Sequence, residues 1–135
     1  MKFDYIKIGS HKRPIIPVRL SYKNSAINTP ALIDSGADFN VFPLSIAKDL
    51  GLNLNTDKPI TFSGVGEKNL KLTGYMAILD LIIFNKGESI KFSTPVVFTN
   101  DIPSNGFSLL GETGFFDHLS QVSFFYNRGK VVLEK

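Results

Sequence analysis

Apolar and polar residues alternate along this chain in short runs punctuated by Gly, Pro, Asn and Asp, the period of half-buried strands. The spacing predicts strands over Phe3–Ile8, Ile15–Tyr22, Thr29–Asp34, Ile60–Ser63, Leu70–Phe84, Ser89–Phe98, Ser108–Leu110, Gln121–Phe125 and Lys130–Leu133. Asn85-Lys86-Gly87 and Asn127-Arg128-Gly129 read as hairpin turns. Two stretches break the alternation. From Pro43 to Gly51, the residues Leu44, Ala47 and Leu50 share a helical face; Pro43 suits the first turn and Gly51 the cap. A second short helix is predicted near Gly114–Leu119. The pattern is that of an all-β fold with one or two short helices.

Composition narrows the picture. At 135 residues, 43% hydrophobic and 20% charged, the chain can bury one core, so residues 1–135 read as a single domain. There is no cysteine, which excludes disulfides and thiolate metal sites. The start, Met1-Lys2-Phe3-Asp4-Tyr5, has no signal-peptide core. The longest apolar stretch, Met76 to Phe84, is short and interrupted by Asp80, so no membrane span is expected. The reading is a soluble, cytoplasmic protein. The net charge of +3 invites a nucleic-acid partner, but the fifteen basic residues are scattered and the densest cluster is only His11-Lys12-Arg13. No nucleic-acid role and no membrane role are expected.

The candidate chemistry lies in Ala31-Leu32-Ile33-Asp34-Ser35-Gly36-Ala37-Asp38-Phe39. An apolar run ends in a carboxylate on a tight turn, where Ser35 can donate a hydrogen bond, Gly36 permits close backbone approach and Ala37 is small enough to pack beneath. Other motifs fail. Gly64-x-Gly66 lacks a third Gly at Asn69, so it is not a dinucleotide fingerprint. Asp34, Gly36, Asp38 and Asn40 are spaced like a calcium loop, but Phe39 takes the required glycine position and Ser45 that of the bidentate Glu. His11 and His118 are far apart in sequence and form no zinc motif. No metal and no cofactor are expected.

Three segments in order, Asp34-Ser35-Gly36-Ala37, the glycine-rich Phe62-Ser63-Gly64-Val65-Gly66-Glu67, and Ser108-Leu109-Leu110-Gly111, resemble the retropepsin-like single-domain aspartic proteases, relatives of the retroviral enzymes. The resemblance implies a closed β-barrel equivalent to one lobe of a pepsin-type fold. It implies Asp34, Ser35 and Gly36 as the catalytic loop. Ala37, Asp38, Gly64, Val65, Gly66 and Leu109 would contact substrate, with the glycines forming a flap and Val41, Val65 and Leu109 lining apolar subsites. The substrate would be a peptide or protein. The chemistry needs two carboxylates, and Asp34-Ser35-Gly36 occurs once, so the active site would be shared by a homodimer. Terminal strands over Phe3–Ile8 and Lys130–Leu133 could pair across its axis. The alternative is a dimeric peptide-binding scaffold of the same fold with little turnover. One departure stands out: Glu112 follows the late Gly111 where retroviral relatives carry an Arg that pairs with the acid at the Asp38 position. Asp38 then needs another partner, such as Arg13, Arg19 or a Lys.

Overall fold

A computed structural model describes residues 1–63, 71–102 and 106–135 of the chain. Strands β1 (Lys2–Asp4), β2 (Ile6–Ile8), β3 (His11–Arg13), β4 (Ile15–Tyr22), β5 (Ser25–Ile33) and β6 (Asn40–Pro43) lead into helix α1 (Leu44–Asp49). They are followed by β7 (Ile60–Ser63), β8 (Lys71–Asn85), β9 (Glu88–Thr99), β10 (Leu109–Leu110), β11 (Gln121–Phe125) and β12 (Lys130–Glu134). Single 3₁₀ turns lie at Phe116–His118 and Tyr126–Arg128.

The main sheet runs β4-β5-β10-β6-β9-β8-β7, and β4 also pairs with β8, so six strands close into a barrel with β7 as an outlying strand paired to β8. The closing seam aligns Val18–Ser21 with Ile83–Asp80. Alternation decides which side chains enter: Val18 and Leu20 on β4, and Leu79, Leu81 and Ile83 on β8, are buried, while Arg19 between the first pair is exposed. The long β8–β9 hairpin turns at Lys86-Gly87, whose positive φ values of 48° and 82° suit a two-residue turn matched to strand twist. Main-core residues from β4, β5, β8 and β9 pack with Phe42, Ala47 and Leu50 beneath α1 and with Phe115.

A second sheet, β1-β12-β11, packs Phe3, Val131 and Leu133 onto that core. Here the sequence expectation is corrected. The segment Phe3–Ile8 breaks at Tyr5, whose N–H donates to the Gly129 carbonyl at 2.7 Å, and the chain then leaves β12 to form a separate hairpin, β2–β3. The end strand β12 is flanked by β1 and β11 of its own chain, so neither of its edges is open to pair across a dimer axis. The His11–Arg13 strand carries only basic residues and shows no alternation; its pairing with Ile6–Ile8 defines it. Asn40, Val41 and Phe42 of β6 are all buried, which likewise hides the strand period. The predicted helix near Gly114–Leu119 shrinks to the turn at Phe116–His118.

Leu81 lies fully buried at the seam, opposite Leu20 and Phe92. Leu81→Ala is expected to lower unfolding free energy in urea by about 2–5 kcal/mol, because the barrel cannot collapse around the void. A gentler tie joins the ends of β1 and β12: Lys130 Nζ lies 2.6 Å from Asp4 Oδ1 and holds that exposed carboxyl below the ordinary carboxylate range. A lowered folded-state value means the tie stabilises above the unfolded carboxyl's value and is lost as pH falls through the folded one. An NMR titration should therefore show the Asp4 midpoint rise in Lys130→Met.

Candidate active site

Asp34 stands where β5 runs out. Leu32 and Ile33 pair in parallel with Leu109 and Leu110, and the chain then turns sharply away. The Gly36 N–H donates to Asp34 Oδ1 at 2.9 Å, and the Ala37 N–H to the Asp34 carbonyl at 3.1 Å, an aspartate-closed turn that fixes the carboxylate against its own loop. A Cβ on Gly36 would come within 3.2 Å of that carboxylate oxygen. Asp34 is half-buried; Ser35, Gly36 and Asp38 are exposed, and Ala37 is buried beneath the loop as its size suggests. The Ser35 hydroxyl has no hydrogen-bond partner among the described residues.

The segment from Ser108 to Thr113 grips this loop along its length. Leu32 N–H donates to the Ser108 carbonyl (2.8 Å) and Asp34 N–H to that of Leu110 (3.0 Å). In the other direction, Glu112 N–H donates to the Ala37 carbonyl (2.8 Å) and Thr113 N–H to that of Asp38 (2.9 Å). The buried Asn40 completes the grip: its Oδ1 accepts from Gly111 N–H at 3.0 Å, and its Nδ2 donates to the Pro95 carbonyl at 3.4 Å. Thr94 Oγ1, also buried, donates to the Gly114 carbonyl at 2.6 Å. Asn40 and Thr94 carry no motif that marks this role, which only the fold creates.

Beside the loop lies a small apolar cluster of Ala37, Val41, Val97 and Leu109, with Leu32, Phe39, Ile60, Phe62 and Ile102 partly open around it. Leu109 is only 7% exposed and Val41 is buried, so both form the floor beneath the loop, and the five partly open residues provide its accessible apolar surface. In the sequence, Leu32, Ile60, Phe62 and Ile102 carry no sign of this surface beyond the alternation of Ile60 and Phe62 on β7. Gly64, Val65 and Gly66, expected as a flap, lie outside the described residues. The root of β7–β8 is tied down by Asp101 Oδ2, which accepts from Thr73 N–H (3.0 Å), and by Thr99 Oγ1, which donates to the Thr73 carbonyl (2.7 Å). Asp38 and Glu112 form no ion pair among the described residues. Of the partners considered for Asp38, Arg19 instead donates to Asn28 Oδ1 and lies over Phe84, and Arg13 lies over Phe107. Among the described residues no group of three His, Asp or Glu could hold a metal ion.

Gly111 is the tightest point of the grip. A Cβ there would collide with the Phe39 carbonyl oxygen and lie 2.7 Å from that of Ala37, both backbone atoms with no rotamer to give way. Gly111→Ala should therefore push the two segments apart. The expected result is a loss of about 1–3 kcal/mol in urea unfolding, with faster amide exchange at Glu112 and Thr113.

No family model matches the chain, and no curated protein matches it by sequence. Solved structures do match by shape. A retropepsin-like aspartic protease from Rickettsia conorii superposes with a TM-score of 0.61 at 13% identity, over 97% of each chain. EIAV protease complexed with the inhibitor HBY-793 aligns at a TM-score of 0.41 and 24% identity, over 78% of this chain and 88% of that one. With its closed six-stranded barrel and the gripped loop at the end of β5, this chain has the retropepsin-like fold.

Proposed function

We propose that the chain is one half of an aspartic endopeptidase, active when two copies bring their Asp34 carboxylates together about a two-fold axis. The observation that carries this reading is the hold on Asp34: a half-buried carboxylate at a strand end, its loop fixed on both sides by backbone hydrogen bonds and flanked by an open apolar surface. A turn aspartate with no task would not need that scaffold. In the paired site one carboxylate takes a proton from water as it attacks the peptide carbonyl carbon. The other gives its proton to the carbonyl oxygen. The tetrahedral intermediate then collapses with proton transfer to the leaving nitrogen. Gly36 C=O and Asp38 N–H have no partner among the described residues, which suits an extended substrate backbone lying across the loop. Leu32, Phe39, Ile60 and Phe62 suit apolar side chains beside the scissile bond. The flap expected at Gly64, Val65 and Gly66 belongs to the same reading and rests on the sequence.

The second copy is expected at β11. In the row Phe3–Val131–Phe124, all on the core face of the terminal sheet, exposure rises from 7% and 0% to 44%, so the sheet overhangs its own core at that edge. Gln121–Phe125 contains no charge and no Pro, the devices that keep edge strands from pairing with other chains. Strand β1, at the opposite edge, carries Lys2 and Asp4.

Asp34→Asn is expected to cut cleavage of a peptide library by about 10²–10⁴-fold while leaving the melting curve in place. Unchanged cleavage would remove Asp34 from the mechanism and favour the scaffold alternative. Phe124→Lys should shift the sedimentation profile to monomer and reduce activity in proportion.

A further inference from the structure

We infer that the β2–β3 hairpin is a docking edge for an extended segment of the protein substrate in which apolar and acidic residues alternate. Calling the occupant substrate rests on the proteolytic reading; the binding itself does not. The hairpin stands apart from both larger sheets, and all six of its strand residues are exposed. Two-stranded hairpins are marginal in water, and this one carries a further handicap. Its register sets Lys7 directly opposite Lys12, a like-charge pair that opposes folding. Arg13 and Arg128 add to the positive charge nearby, and Lys12 approaches Gly129 at the end of the β11–β12 hairpin. None of Lys7, Lys12, Arg13 and Arg128 is in an ion pair among the described residues. The neighbouring carboxylate, Asp4, is held by Lys130.

On the other face Ile6 and Ile8 are 42% and 43% exposed, with Arg13 and His11 across from them on β3. Along β2 itself, Ile6 and Ile8 therefore present apolar contacts on one face and Lys7 a cation on the other, beside a backbone edge with no partner among the described residues. A strand added there would pair main chain with main chain and place alternate side chains on the two faces. An acidic residue would then meet Lys7 directly, with Lys12 one strand further across the same face, and apolar residues would meet Ile6 and Ile8. A phosphate backbone or an anionic lipid surface would answer the charges but leave the strand edge unpaired, which favours a peptide. The hairpin also adjoins the site. Arg13 runs into Pro14, whose carbonyl accepts from Ile33 N–H at 3.0 Å, one residue before Asp34. The end of β3, and Ile6 paired with Arg13, thus lie close to the loop that carries Asp34.

The test uses full-length Asp34→Asn protein, to prevent turnover, and a short labelled peptide alternating valine and glutamate, read by fluorescence anisotropy. Binding is expected, weakened by salt, with protection of the Ile6–Ile8 amides from exchange. Lys7→Gln with Lys12→Gln removes the repulsion, so melting temperature should hold or rise while affinity falls by about tenfold or more. Lys7→Glu with Lys12→Glu should transfer the preference to a valine–lysine peptide. Absence of binding, unchanged affinity in the glutamine variant, or tighter binding of a single-stranded oligonucleotide or phosphatidylserine vesicles would each overturn the inference. None of these outcomes bears on whether Asp34 is required for cleavage, which is measured separately.

Discussion

The contact on which the rest of this molecule depends is the passage of Gly111 under the loop that carries Asp34. Two chain segments more than seventy residues apart approach so closely that a single methyl group would strike backbone oxygen. That approach permits Glu112 and Thr113 to donate to Ala37 and Asp38, and Asn40 to accept from Gly111 itself. The consequence is electrostatic as well as geometric. The N–H groups of Asp34, Gly36 and Ala37 are committed within the loop and its grip, so the carboxylate is held at a strand end by backbone hydrogen bonds.

The barrel supplies the stiffness behind that contact. Strand β4, closed onto β8 on its other side, pairs with β5 from Ser25 to Leu32, and Ala31 and Ile33 are buried on the core face, so the position of Ile33, and of Asp34 after it, is inherited from eight paired residues. The terminal sheet does something different. By pairing β12 on both sides within the chain, it leaves β1, which carries Lys2 and Asp4, as one edge and β11 as the aromatic, uncharged one. The β2–β3 hairpin is a third kind of edge, basic and isolated.

Much of this was legible in the residues. Ile15–Tyr22, Ile60–Ser63 and Gln121–Phe125 match their strands end to end, because each shows alternation or β-branched enrichment bounded by turn residues. The Asp34 loop was legible because its chemistry is local: an apolar run, a carboxylate and small residues in sequence. What was hidden is nonlocal. Ser25–Asn28 lack strand propensity and are carried by register with β4; Asn40–Phe42 are buried on both faces and so show no period. Asn40 and Thr94 act only because folding brings Gly111, Gly114 and Pro95 to them. Val41 and Leu109 looked like subsite walls, but burial beneath the loop makes them its floor.

The central claim, that one catalytic site draws an Asp34 from each of two chains, is tested most directly by mixing. Wild-type and Asp34→Asn chains are combined in varying ratio at fixed total concentration, allowed to exchange, and assayed for peptide cleavage. If only pairs of wild-type chains are active, the rate follows the square of the wild-type fraction, falling to about one quarter in an equal mixture. A rate that falls in simple proportion, to about one half, would mean that each chain works alone and would contradict the account.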